Sequence, residues 1–114
     1  MILYFNPECS KCNEAKDLLE RNNCELQIRN YLEFPPSEKE LKELLKKLNC
    51  NAIDLVRKKE RLYIEKYEGQ YLCEDDWIKI LSENPVLIER PILIDTEKAI
   101  IGRPPVLVLD LLKK

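Results

Sequence analysis

Apolar and polar positions change period several times along the chain, and each change marks an element. Ile2 to Phe5 is a short continuous apolar run, which predicts a buried strand, and Pro7 stops it. From about Ser10 the period becomes 3.6, with Cys12, Ala15, Leu18 and Leu19 on one face and Lys11, Glu14, Lys16, Asp17 and Arg21 off it, which predicts a helix. Cys24 to Arg29 then alternates, setting Cys24, Leu26 and Ile28 against Glu25, Gln27 and Arg29, the pattern of a half-buried strand. Strand, helix, strand over this length predicts a βαβ unit.

Pro35-Pro36 closes that segment, and Ser37 with Glu40 forms a capping-box pattern ahead of Leu41, Leu44, Leu45 and Leu48, predicting a second amphipathic helix. Between Asn51 and Tyr71 the pattern weakens to a short helix carrying Ile53, Leu55 and Val56, then a charged stretch with several tyrosines that ends at Gly69. Asp75 to Ser82 places Trp77, Ile80 and Leu81 at helical spacing ahead of Pro85. Pro91 to Asp95 and Lys98 to Ile101 are β-rich runs separated by Thr96-Glu97, which predicts a hairpin broken by Gly102. Pro104 and Pro105 suit the start of a final helix over the apolar stretch Val106 to Leu112. The predicted order is β-α-β, a helical middle, then β-β-α. A Cys-x-x-Cys beside a βαβ pattern is the cue for a thioredoxin-like α/β fold. Residues 1–114 are therefore expected to form one such domain with a helical insertion at about 37–84.

Composition narrows the setting. A chain of 114 residues with 45% hydrophobic and 35% charged content fits one globular domain. No apolar run is long enough to cross a bilayer, and the N-terminus lacks the basic head and cleavage site of a signal peptide, so a cytoplasmic protein is expected. The net charge of −2 offers no bulk basicity for nucleic acid, so any specificity for anions has to be local. Five cysteines are an odd number, and Cys24, Cys50 and Cys73 are spaced like neither a disulfide framework nor zinc knuckles. Free thiols and no metal or bound cofactor are expected.

The candidate chemistry sits in Asn6-Pro7-Glu8-Cys9-Ser10-Lys11-Cys12. Cys9 falls at a strand-to-helix turn, where free N–H groups and the positive helix end favour an anionic sulfur, and Cys12 lies one turn inside, facing back toward it. Cys12 also fits a small core residue beside Ala15 and Leu19. Cys24 and Cys50 read as buried hydrophobes and Cys73 as a residue at a helix start. The charges from Lys39 to Lys47 read as a solvated helix face and the tyrosines from Tyr63 to Tyr71 as packing. Three arginines stand out by position: Arg57 after the short helix, Arg90 directly before Pro91, and Arg103 after Gly102. In a thioredoxin-type fold the loop before the hairpin runs beside the cysteine turn, which brings Arg90 within reach of the sulfur. Pro91 in that place is usually cis. Permanently charged planar forks around one thiolate make a socket for a tetrahedral oxyanion.

With these segments in view the chain resembles the arsenate reductase family of thioredoxin-fold proteins over nearly its whole length. The resemblance is carried by Asn6-Pro7-Glu8-Cys9, Tyr31-Leu32-Glu33-Phe34-Pro35-Pro36, Leu55-Val56-Arg57-Lys58, Arg90-Pro91-Ile92 and Gly102-Arg103-Pro104-Pro105. It implies that Cys9 is the nucleophile forming a thiol–arsenate adduct and that Arg57, Arg90 and Arg103 bind the oxyanion. Cys12 stands where glutathione-linked members often have serine, and the chain has no histidine. Activation of Cys9 then falls to the helix end, Lys11 and the arginines. A helix end supplies roughly 0.3–1 kcal/mol, whereas lowering a thiol from about 8.5 to about 6.5 takes roughly 2.7 kcal/mol, so the arginines are expected to supply most of it. Cys12 opens an internal route in which a Cys9–Cys12 disulfide forms and arsenite leaves. The expected partners are arsenate or a similar oxyanion and an external thiol reductant, either thioredoxin or glutathione with glutaredoxin, with no nucleic acid or membrane and a monomeric chain. The fold and cysteine pair are also similar to the Spx-type transcriptional regulators, which bind RNA polymerase and use the pair as a redox switch. A general thiol-disulfide oxidoreductase is the third reading.

Overall fold

Strand β1 (Ile2–Tyr4), helix α1 (Ser10–Arg21) and strand β2 (Gln27–Arg29) form the expected βαβ unit in a computed structural model that describes residues 1–112. Strands β3 (Ile92–Ile94) and β4 (Ala99–Ile101) complete a sheet of order β2-β1-β3-β4. β1 runs parallel to β2, with Leu3 opposite Ile28, and antiparallel to β3, with Leu3 opposite Leu93; β3 and β4 are antiparallel. The two central strands bury Leu3, Tyr4, Ile92 and Leu93, as strands covered on both faces must. Residues Pro105–Leu112 wind as a 3₁₀ helix packed along α1 and β4. The core of this part joins Cys12, Ala15 and Leu19 of α1 to Leu3, Phe5, Leu93 and Val108.

The chain divides into two compact units, Met1–Phe34 with Arg90 onward, and Pro35–Glu89. In the second unit helix α2 (Glu38–Leu48) starts at a complete capping box: the Glu40 N–H donates to Ser37 Oγ and the Ser37 N–H to Glu40 Oε1, both at 3.1 Å. Its buried face is Leu41, Leu44 and Leu45, and it ends at Asn49, whose φ of 56° is the left-handed cap that asparagine tolerates. Ala52–Leu55 is a single 3₁₀ turn, and Val56 leaves it to bridge Ile88. Tyr63–Tyr67 forms a π-helical turn whose Tyr63 and Tyr67 rings meet Trp77 at 6.3 and 5.8 Å. Helix α3 (Glu74–Glu83) buries Trp77, Ile78 and Leu81 and packs against α2. Cys73 is its N-cap residue, without a side-chain capping bond.

Three expectations needed correction. β2 is shorter than the alternating run, and Ile28, expected inside, is 40% exposed. β2 is an edge strand, and nothing in its unit covers the face on which Ile28 stands, so alternation here does not mean burial. In α3 Ile78 takes the buried place expected for Ile80, which is half-buried. The final helix is 3₁₀ along its length. Among the described residues no helix is long and apolar enough to cross a membrane.

Candidate active site

Cys9 is the N-cap residue of α1 and has extended backbone angles, φ −93° and ψ 118°. The turn that presents it is held by two asparagines. The Asn6 carbonyl accepts from the Cys9 N–H at 3.0 Å while Asn6 Oδ1 accepts from the Glu8 N–H at 3.0 Å. Asn13 Nδ2 donates to the carbonyls of Pro7 and Cys9, each at 3.0 Å. These bonds satisfy backbone groups that a strand-to-helix turn leaves orphaned. They also fix the sulfur at the edge of the core, where Cys9 is 7% exposed and Cys12 is not exposed at all.

The electrostatics of the pair are unequal. Burial pushes the Cys9 thiol up, but the Cys12 backbone N–H, the Cys12 thiol, and then the hydrogen bonding and charge of Arg90 together hold it below its ordinary value. The sulfur makes no capping bond within ordinary hydrogen-bond limits, so the Cys12 amide acts on it as a nearby oriented dipole. The expectation that arginines supply most of the activation is corrected here: the Cys12 amide contributes ahead of Arg90. Cys12 moves the other way. Burial pushes it up to about 12, and Cys9's hydrogen bonding and charge add to that, against the opposing Asn6 N–H and the Arg90 charge. The pair therefore holds one proton and one negative charge, with the charge on Cys9.

Arg90 lies against Cys9, and its own ionisation is favoured further by Cys9 and by Tyr31, against the cost of burial. Its Nε is buried with no hydrogen-bond partner among the described residues. The Arg90–Pro91 and Arg103–Pro104 peptide bonds are both cis. Arg103 is exposed, and its Nε donates to the Arg90 carbonyl at 2.7 Å. The structure thus brings together Cys9, Cys12, Arg90 and Arg103 within one unit. Arg57 belongs to the other unit, where its N–H donates to the Leu87 carbonyl at 2.7 Å and its Nη1 pairs with Glu60 at 2.8 Å.

Sequence reasoning gave no role to Asn6, Asn13 or Tyr31. Tyr31 is 1% exposed and stacks on Tyr4 with ring centroids 6.0 Å apart, which sets its ring beside the arginine. Cys24 and Cys50, expected to be buried, are only half-buried, and burial raises both thiols. Cys73 is exposed. Among the described residues no group of three or more His, Cys, Asp or Glu side chains is placed to hold a metal ion. A cleft of about 480 Å³ in the second unit is lined by Tyr63, Tyr71 and Trp77 among others, and none of the five expected site residues lines it.

The arrangement of an activated thiol, a buried partner thiol and a guanidinium matches what known proteins of similar sequence contain. A family model described as the ArsC family matches residues 4–111. The chain is 43% identical to the uncharacterized protein YfgD of Escherichia coli, covering 96% of this chain and 93% of that one. It is 40% identical to an arsenate reductase of Haemophilus influenzae, covering 98% of each. A solved arsenate reductase from Vibrio cholerae superposes with a TM-score of 0.91 at 41% identity, covering 96% of this chain and 94% of that one.

Proposed function

The chain belongs to the ArsC family, and from that premise we propose that it is a thiol-dependent arsenate reductase that works through a Cys9–Cys12 disulfide. The observation that carries the reading is the unequal pair: a thiolate favoured on Cys9, and a proton held on the fully buried Cys12 beside it. The Cys9 thiolate attacks arsenic, and one arsenate oxygen takes up protons and leaves as water. Arg90 and Arg103 receive the oxyanion, the first from beside the sulfur and the second from the rim. The Cys12 sulfur then attacks Cys9 Sγ; the S–As bond breaks toward arsenic, As(V) becomes As(III), and arsenite departs. Two thiols have become one disulfide, and external thiols return it to the starting state. The role of Arg57 in oxyanion binding rests on its Leu55–Lys58 motif alone.

Cys12 in the position where a serine is common is what favours thioredoxin as the reductant over glutathione with glutaredoxin. The reading includes a monomer acting in the cytoplasm with no bound cofactor. Relatives named as enzymes at this identity favour catalysis over a regulator that binds RNA polymerase. The test is oxidation of NADPH by the purified chain with arsenate, coupled either to thioredoxin and its reductase or to glutathione, glutaredoxin and glutathione reductase. Arsenate-dependent oxidation is expected with thioredoxin and is lost in Cys9→Ser and Cys12→Ser. No arsenate dependence in either system would sink the proposal. Full activity of Cys12→Ser with glutaredoxin would replace the internal disulfide with direct attack by glutathione.

A further inference from the structure

Once Cys9 and Cys12 are joined, an external thiol has two sulfurs to choose from, and the choice decides which residue carries the mixed disulfide to the reductant. Thiol–disulfide exchange proceeds by in-line attack, with the incoming sulfur opposite the departing one. Cys12 is 0% exposed, set on the inner face of α1 among Leu3, Ala15, Leu19, Leu93 and Val108. Every line of approach to its sulfur is filled by protein. Cys9 is 7% exposed at the rim of the same cluster, and its neighbours Pro7, Glu8, Ser10 and Lys11 are all exposed. A line drawn from Cys12 through Cys9 leads out of the core, so in-line attack on Cys9 comes from solvent.

The departing side is prepared as well. The Asn6 backbone N–H is turned toward Cys12 Sγ, where it favours the thiolate, and the Arg90 charge acts in the same sense. The turn bonds of Asn6 to Cys9 and Glu8 hold that amide in place. A buried sulfur with an oriented donor beside it is a better leaving group than its exposure suggests.

We propose that in the oxidised chain an incoming thiolate attacks Cys9 and expels Cys12, whose thiolate is received by the Asn6 N–H, so that the mixed disulfide with the reductant always sits on Cys9. In the first step the bond from the incoming sulfur to Cys9 forms as the Cys9–Cys12 bond breaks, and the electron pair stays on Cys12, which then takes a proton. A second thiolate attacks the reductant's sulfur and expels the Cys9 thiolate. Two external thiols are oxidised to a disulfide and the protein disulfide is reduced. The inference rests on the part of the proposed function that makes the pair a disulfide, and its test needs no arsenate.

The full-length chain, oxidised with diamide, is exposed briefly to glutathione, quenched with acid, alkylated with N-ethylmaleimide and digested with trypsin. Cleavage after Lys11 separates Cys9 in residues 1–11 from Cys12 in residues 12–16. Reaching a buried sulfur requires local opening, so glutathione is expected on Cys9 in at least roughly tenfold excess, with the maleimide on Cys12. Glutathione on Cys12 in equal or greater amount would overturn the proposal. Failure of diamide to join the two cysteines would overturn it too, together with the internal-disulfide route. A correct labelling pattern without arsenate turnover would leave this inference standing and remove the arsenate reading. As a second measurement, oxidised glutathione should modify Cys12→Ser at Cys9 in the folded protein, and Cys9→Ser at Cys12 only in urea. Modification of Cys12 in folded Cys9→Ser at the same rate as in urea would count against the proposal.

Discussion

The Nε of Arg103 donates a 2.7 Å hydrogen bond to the backbone carbonyl of Arg90, thirteen positions earlier. The exposed arginine at the rim thereby braces the one whose guanidinium lies against the Cys9 sulfur. Arg103 has two separable effects, one on the oxyanion and one on the thiol through Arg90. Arg103→Ala removes both. A hydrogen bond from a charged group at an exposed position is worth about 1 kcal/mol, so arsenate kcat/KM should fall by roughly fivefold from bracing alone, and further if the guanidinium also meets the oxyanion. The rate of Cys9 alkylation by iodoacetamide against pH separates the two. A shift of that profile to higher pH is expected; an unchanged profile with a raised KM would show that Arg103 acts on substrate only.

The cysteine pair should titrate in two widely separated steps. Cys9 loses its proton below the ordinary thiol value of 9.0, and Cys12 keeps its proton to about 12. Thiolate absorbance near 240 nm, taken as the difference between the wild type and Cys9→Ser, should show one group ionising below 9.0. Arg90→Met should move that step upward.

The same shifts act on stability with opposite signs. For Cys9, lowered on folding, the contribution is complete above 9.0 and is lost as pH falls through its folded value. For Cys12, raised on folding, it is complete below 9.0 and is lost as pH rises toward about 12. Urea unfolding from pH 8 to 11 should therefore show a smaller alkaline loss in Cys12→Ser than in the wild type. Parallel curves would refute the assignment.

Much of this fold was legible where local chemistry decides local structure. The spacing of Cys12, Ala15 and Leu19 found the inner face of α1, and Ser37 with Glu40 found the start of α2. Legibility failed where burial depends on a neighbour elsewhere in the fold. Ile28 alternates correctly but sits on an edge strand, and the 3₁₀ winding of Pro105–Leu112 carries no period that residue types announce. At the site, Cys9 and Arg90 were visible as residue types in a recognisable order. The groups that tune and hold them are backbone: the Cys12 amide on Cys9, the Asn6 amide on Cys12 and the Arg90 carbonyl under Arg103. Every residue but proline has such an amide, so no side chain in the sequence marks these.

Ser37 offers a test of the second unit by itself. Its hydroxyl accepts the Glu40 N–H at 3.1 Å. Ser37→Ala should cost about 1 kcal/mol and Ser37→Asp much less, since aspartate caps as well as serine. The urea midpoint measures both, and equal losses in the two variants would mean that the cap contributes nothing.

Gly102 links the core to the arginine brace. A Cβ built there would lie 2.8 Å from Val108 Cγ1 and 3.0 Å from Pro91 Cγ. Neither neighbour yields easily: Val108 is fully buried with a stiff β-branched side chain, and Pro91 is a closed ring whose carbonyl accepts the Gly102 N–H at 2.8 Å. Gly102→Ala must therefore shift backbone, at about 1–3 kcal/mol. The shift falls between Pro91, which follows Arg90, and Arg103, so the Cys9 thiol should also rise toward its ordinary value. Val108→Ala removes the methyl that clashes while leaving a cavity of its own. In the double variant the clash is gone, so the combined loss of stability should be smaller than the sum of the two single losses, by more than about 0.5 kcal/mol. Additive losses would mean that the contact with Val108 is not what excludes a side chain at position 102.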